Sequence, residues 1–129
     1  MIDLERLRIV NLEKDQIKMP LQSTIFRNEE RLQSCAINDV SHLILGTKGH
    51  HVRLVQTALV NLNFGGIHGR EYVDGHYGQT TADAVLRYKT SRKIINFSYQ
   101  TRPDNIVGKM TITMLDGEMR DLENRMALR

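Results

Sequence analysis

The segment DGHYGQTTADAVLRY, residues 74–88, decides the fold of this chain. Two glycines three residues apart bracket a turn that carries one aromatic residue. Behind this turn Thr81, Val85 and Tyr88 fall at i, i+4 and i+7, the spacing that places three side chains on one face of a helix. The pattern predicts a tight loop that leads into a helix from about residue 79 to residue 91.

The same pattern returns thirty positions later as DNIVGKMTITML, residues 104–115. Four residues repeat at matching positions: Asp74 and Asp104, Gly78 and Gly108, Thr81 and Thr111, Val85 and Leu115. The repeat predicts another helix that begins near Lys109. Gly117 costs about 1 kcal/mol relative to alanine inside a helix, which favours an early end and a fraying, charged tail over residues 118–129.

An earlier helix is predicted from His50 onward, because apolar residues recur there with helical spacing over about three turns. A turn with two permissive glycines, Gly46 and Gly49, precedes it. Gln56 lies beside the apolar stripe, where its amide can tie the helix to a loop by hydrogen bonds. The compact domain therefore extends over residues 41–117.

Residues 1–40 read as an irregular N-terminal arm. The first 27 residues mix two periodicities, so helix and strand both stay open, whereas Asn28 and the acids after it predict an N-cap and a short helix over residues 29–36. Further along, the β-branched and aromatic run at residues 94–99 is either a small strand or an extended connector.

Composition narrows the class of protein. A chain of 129 residues with 40% hydrophobic residues, 5% aromatic residues and no tryptophan fits one mainly helical domain with an aliphatic core. The formal charge of +3 is spread along the chain, which argues against a nucleic-acid binder. Cys35 is the only cysteine, and we expect it to be a small buried hydrophobe.

The first residues carry too many charges for a secretory signal or a membrane span. The expected location is the bacterial cytoplasm, or a periplasm or cell wall reached without a cleaved N-terminal signal.

Taken together, these motifs resemble the peptidoglycan-binding-like domain family over residues 41–117. The resemblance implies a small three-helix bundle with two Gly-x-x-Thr loop–helix repeats, of the kind that targets wall-degrading enzymes to peptidoglycan. The residues that match the family's structural motif are Gly46, Gly49, Gln56, Asp74, Gly75, Gly78, Thr81, Asp104, Gly108 and Thr111.

Within this motif the roles read as structural first. The aspartates can close Asx turns, the threonines can bond free amides in the first helical turn, and the glycines let the backbone turn into the helix, so that valine at Gly78 or Gly108 destabilises the fold if either has a positive φ. Tyr77 and Val107 are expected to tuck back onto the bundle. The chain departs from the family in a longer glycine-rich loop after Phe64, in Tyr88-Lys89 where Phe-Gln is usual, and in a lengthened stretch before the third helix.

The sequence favours binding over catalysis. The histidines lack the spacing of metal ligands, and the sequence contains no nucleophile motif. We therefore expect no metal, no cofactor and no enzyme activity. Aromatic and polar residues near the two loops are the candidates for ligand contact: Tyr77, Gln79, Arg87, Tyr99 and Arg102. The alternative is that Tyr77 and Tyr88 are core residues and that the two arginines are solvated.

Two functions follow. The first is a non-catalytic module that binds peptidoglycan through the end of the bundle that bears the two loops. The alternative is a protein–protein adaptor or secretion-system accessory that docks through residues 1–40, in which case residues 1–27 can be deleted without unfolding the bundle. The form DNIVGKMT resembles stretches of bacterial chains without a signal peptide, which is consistent with a secretion-system accessory. The lack of a predicted signal favours the adaptor, whereas the match to the family motifs favours the wall-binding module.

Overall fold

The computed structural model describes residues 19–65 and 73–127 of the chain. Within these ranges the protein is mainly α, as predicted, with four α-helices: α1 (Glu30–Ile37), α2 (His50–Asn61), α3 (Gln79–Arg92) and α4 (Lys109–Ala127). The described ranges hold isolated antiparallel bridges, Leu43 to Val107 and Lys48 to His76, and no strand. None of the described helices is long and apolar enough to cross a membrane.

The core lies between α2, α3 and α4. Each of these helices buries apolar residues at the predicted spacing, and both loop residues expected to tuck inward, Tyr77 and Val107, are buried. The central buried apolar side chains of the three helices are Val52, Val55, Leu59, Val85, Tyr88, Ile112 and Leu115. The loop–helix repeats thus face one shared core, as their sequence pattern predicts.

Residues 19–40 belong to this same core. The predicted short helix is present as α1, shifted by one residue, and its N-cap is Glu29 rather than Asn28, with the Glu29 carboxylate accepting the Arg31 N–H at 3.1 Å. Leu21, Phe26 and Leu32 are buried. Burial of Leu21 and Phe26 argues against the prediction that residues 1–27 can be removed without unfolding the bundle, because these two core residues would be lost. Residues 1–18 of the predicted arm lie outside the described residues.

Cys35 is buried as predicted. Its Sγ donates to the Val107 carbonyl at 3.4 Å, and burial raises the pKa of the thiol to about 12. The side chain therefore acts as a small apolar residue that joins α1 to the second repeat.

Helix α4 continues past Gly117 to Ala127, so the predicted early end is wrong. The extra turns make long-range contacts. Asp116 accepts the backbone N–H groups of Gln22 and Ser23 at 2.8 to 3.1 Å, and Glu123 accepts those of Thr24 and Ile25 at 2.8 and 3.2 Å. These two carboxylates form a clamp on residues 22–25, and the clamp together with burial of Met119 outweighs the low helix propensity of one glycine.

The run at residues 94–99 is a connector rather than a strand. Ile94 is buried against the helices, whereas Phe97 and Tyr99 in the following turn are 78% and 74% exposed. The β-branched and aromatic residues that favour a strand here have other roles: Ile94 packs in the core, and the rings of Phe97 and Tyr99 face solvent.

Candidate functional site

The first repeat is organised around the side chain of Gln56 on α2, which is fully buried. Its Nε2 donates to Asp74 Oδ1 at 3.1 Å, to the His76 carbonyl at 3.0 Å and to Thr81 Oγ1 at 2.9 Å. Its Oε1 accepts the N–H groups of Asp74 at 3.0 Å and Gly75 at 2.9 Å. The amide therefore ties α2 to the loop, as the sequence predicts, and satisfies two loop N–H groups that would otherwise lack a partner.

The predicted Asx turn is present at Asp74, where Oδ1 accepts the His76 N–H at 2.9 Å. This hydrogen bond and the one from Gln56 hold the pKa of Asp74 below its usual range. The Asp74 carboxylate therefore stabilises the conformation of the loop.

The second repeat uses Lys89 on α3 in the place of Gln56. Its ammonium donates to Asp104 Oδ1 at 2.5 Å and to the Ile106 carbonyl at 2.8 Å, which are the counterparts of Asp74 Oδ1 and the His76 carbonyl. Asp104 closes the second Asx turn by accepting the Ile106 N–H at 3.0 Å, and it also accepts from Gln100 at 2.5 Å. Burial alone would raise the pKa of Asp104, but the hydrogen bonds from Lys89, Ile106 and Gln100 outweigh it and lower that pKa.

Positive φ occurs at Gly75, at +78°, and not at the position where each loop enters its helix. Gly78 has φ −96°, and Gly108 is not among the described glycines of positive φ. The condition under which valine at Gly78 or Gly108 is expected to destabilise the fold, a positive φ, is therefore not met. The position that requires glycine in the first loop is Gly75, three residues earlier, where an added Cβ would also lie 3.2 Å from the Gly49 carbonyl oxygen.

The five predicted ligand residues do not form one site. Tyr77 is buried, and its hydroxyl donates to the Asn105 carbonyl, which joins the two loops. Gln79 and Arg87 are exposed on α3 and bond Asp83 at 2.8 Å and the Phe64 carbonyl at 3.2 Å. Tyr99 and Arg102 are exposed in the second loop.

Tyr88 is a core residue. Its ring packs edge-on against Phe64, with centroids 5.3 Å apart, and its hydroxyl donates to Glu118. Arg92 stacks on both rings and pairs with Glu118, with Nε 3.0 Å from each carboxylate oxygen. This cluster holds Phe64 against α3 and ties α3 to Glu118 of α4.

Of the five candidates, Tyr99 alone lines a groove of about 410 Å³ between the second loop and the start of α4. We call this the α4 groove. Its apolar lining comes from Ile94, Tyr99, Ile106 and Met110. Polar side chains line the rest: Asp39, His42, Lys89, Asn96, Gln100, Asp104, Lys109 and Thr111.

The charged groups in this lining are paired with one another. Lys89 pairs with Asp104 at 2.5 Å, and Lys109 pairs with Asp39 at 3.5 Å. The α4 groove therefore offers apolar surface and neutral hydrogen-bonding groups together with ion pairs that are already formed.

The described histidines form no metal centre. His50 and His76 line a smaller cleft with Asp74, but the described ranges contain no group of three or more His, Cys, Asp or Glu residues that could hold a metal ion. His51 is buried against Arg31, whose Nη1 lies 3.3 Å from His51 Nδ1. Burial and, next, the Arg31 charge lower the pKa of this histidine. His68 lies outside the described residues.

The chain resembles part of a secretion spike. Over 108 residues it is 31% identical to the type VI secretion system spike protein VgrG3 of Vibrio cholerae serotype O1. The aligned stretch covers 78% of this chain and 10% of that protein, so the chain spans about a tenth of the length of the curated relative it matches.

No protein-family model matches the chain, and no solved structure matches it. The resemblance to the peptidoglycan-binding-like family therefore stays a prediction.

Sequence reasoning missed Lys89 and Met110. The signal for Lys89 is present, since Val55-Gln56 and Tyr88-Lys89 are both apolar–polar pairs that precede a repeated aspartate. Met110 carries no such signal, because its exposure depends on how the second loop packs against α4.

Proposed function

We propose that this chain is a non-catalytic adaptor module of a bacterial secretion assembly, which acts by contact with another protein. The observation that carries the proposal is the similarity of 78% of the chain to a segment of a type VI secretion spike protein. The hydrogen bonds around Gln56 and Lys89 support it, because they show the polar groups of the repeated motif bonded within the fold. The exposed surface between the loops is then the part that can contact another protein.

The predicted docking arm needs a different boundary. Since Leu21 and Phe26 belong to the core, the deletion that tests docking should end at residue 18, which keeps both of these residues in the chain. We propose that residues 1–18 contribute to docking.

The test is co-expression of the full chain with the spike proteins encoded by the same bacterium. Purification through a tag on the spike, followed by size-exclusion chromatography with light scattering, gives the stoichiometry. We expect a stable complex with the full chain and a weaker one with residues 19–129 at unchanged melting temperature. Met126→Ala, an exposed substitution on α4, serves as the control. Absence of a complex with any of these spike proteins contradicts the adaptor proposal.

A second candidate is peptidoglycan binding, favoured by the composition of the α4 groove. Tyr99 offers an aromatic face, and Asn96 and Gln100 offer amide groups beside it, a combination suited to sugar rings or wall peptides. The test is co-sedimentation with purified insoluble peptidoglycan at near-physiological salt. Binding that Tyr99→Ala and Arg102→Ala weaken supports this function, and no co-sedimentation of the unmodified chain excludes it.

A further inference from the structure

Exposed apolar side chains line the α4 groove or are adjacent in sequence to residues that line it. Tyr99 and Met110 line it and are 74% and 51% exposed. Val40 is adjacent to the lining residue Asp39 and is 89% exposed, and Phe97 follows the lining residue Asn96 and is 78% exposed. We call these four residues the Tyr99 surface. Solvent-facing apolar clusters of this kind mark interaction sites in soluble proteins.

Phe64 and the two aromatic residues of the second loop differ in exposure. Phe64 is packed against Tyr88 and beneath Arg92. Phe97 and Tyr99 project into solvent. The fold therefore packs the ring of Phe64 internally and leaves the two rings of the second loop available to a partner.

Charge indicates the chemistry of that partner. The ionic groups that line the groove pair with one another, as described above. Two exposed cations are adjacent in sequence to lining residues and have no ion pair among the described residues: Lys93 directly precedes Ile94, and Arg102 lies two residues from both Gln100 and Asp104. A segment that brings acidic groups would be attracted here.

We propose that the Tyr99 surface docks an acidic segment of a partner protein, which inserts an apolar side chain between Tyr99 and Met110. Tyrosine and arginine are enriched among residues that dominate binding energy at interfaces, and methionine adapts its shape to varied apolar partners. The inference rests on the proposed adaptor function and assigns its contact surface.

The direct test uses the full chain and synthetic 12-residue peptides with a central leucine or phenylalanine. Three matched sets differ in the flanking residues, which are glutamate, serine or lysine. We expect the glutamate set to bind most tightly by fluorescence polarisation and to weaken as salt rises. Equal binding of the three sets, or no binding of the glutamate set at millimolar concentration, overturns the proposal.

Variants locate the contact. Tyr99→Ala and Met110→Ala should each weaken binding of the glutamate set at least tenfold, and Arg102→Glu should abolish the preference for glutamate over lysine. Met126→Ala is the matched control, since it is an exposed methionine (63%) on the same helix, about 24 Å from Met110 along the axis at 1.5 Å per residue. All four positions are exposed, so melting temperatures should be unchanged. Equal effects of Met110→Ala and Met126→Ala overturn the assignment.

Failure of this proposal is separable from failure of the adaptor function. If the chain binds a spike protein and the complex is unaffected by Tyr99→Ala and Arg102→Glu, the Tyr99 surface is wrong and the adaptor stands. Two other outcomes also overturn the assignment. One is loss of peptidoglycan co-sedimentation in Tyr99→Ala without acidic-peptide binding, and the other is Tyr99-dependent self-association in sedimentation velocity.

Discussion

Gln56 and Lys89 occupy equivalent places in two copies of one loop–helix repeat. Each reaches from the preceding helix to the Asx-turn aspartate and to the carbonyl two residues after it. The amide also donates to Thr81 and accepts two backbone N–H groups, whereas an ammonium can only donate. The first loop is thus held by hydrogen bonds to a neutral amide and the second by an ion pair.

Gln56→Leu should destabilise the protein by about 3 kcal/mol, because it leaves two buried loop N–H groups without acceptors. The measurement is the free energy of unfolding in urea. Gln79→Ala, which removes one exposed hydrogen bond to Asp83, is the control and should cost less than about 0.5 kcal/mol. Similar losses for both variants would refute the central role of Gln56.

Lys89→Met should cost about 2 kcal/mol, because the half-buried Asp104 then lacks its cationic partner, and its partial exposure keeps the cost below that of breaking a fully buried pair. Lys89→Gln should recover at least half of that loss, since glutamine fills this role in the first repeat. Urea unfolding of the two variants in parallel measures the difference. Equal stability of the methionine and glutamine variants would argue against the equivalence of the two repeats.

Acid should weaken the second loop through Asp104. Its folded-state pKa is lowered, so its contribution to stability is fully present above the unfolded pKa of about 3.9 and is lost as the pH falls through the folded value. The stability difference between the unmodified chain and Asp104→Asn should therefore be largest at neutral pH and shrink below about pH 4. Urea unfolding at pH 7, 4 and 3 tests this, and a difference that stays constant with pH would contradict it.

Gly75→Ala should destabilise the fold by about 1 to 2 kcal/mol, the cost of a left-handed conformation for a residue with a Cβ. Gly78→Ala should change stability by less than about 0.5 kcal/mol, because the backbone there is extended and no heavy atom lies within 4 Å of the added Cβ. Thermal unfolding followed by circular dichroism compares the two. The reverse order would show the loop geometry to be wrong.

A fragment of residues 41–117 should not unfold cooperatively. It contains the whole repeated motif but lacks Leu21, Phe26, Leu32, Cys35 and Met119, all buried in the full chain. Residues 19–129 should retain a sigmoidal thermal transition, and circular dichroism distinguishes the two. A cooperative transition in the shorter fragment would mean that the motif alone suffices.

The helices of the repeats could be predicted because their determinants are local. The spacing of Thr81, Val85 and Tyr88 and the Asx-turn aspartates act within a few residues of the structure they specify. The buried amide of Gln56 could also be anticipated, because it sits beside an apolar stripe next to a loop that needs acceptors.

The length of α4 could not be predicted in this way. Gly117 lowers local propensity by about 1 kcal/mol, while the compensating contacts of Asp116 and Glu123 come from backbone groups 93 to 99 positions away. The α4 groove escaped prediction for a related reason, since it combines α4 with the second loop and with Asp39 and His42 from a distant part of the chain. The sequence of any one of these segments does not indicate that they come together in the fold.

The carboxylate clamp on residues 22–25 has a consequence for synthesis on the ribosome. Loop-closure entropy opposes contacts between such distant positions until the intervening helices have packed. Both loop–helix repeats emerge from the exit tunnel before Glu123, so the nascent chain can assemble them while Leu21 and Phe26 still lack the final turns of α4. Emergence of Glu123, rather than completion of the motif, is then the event that completes the core.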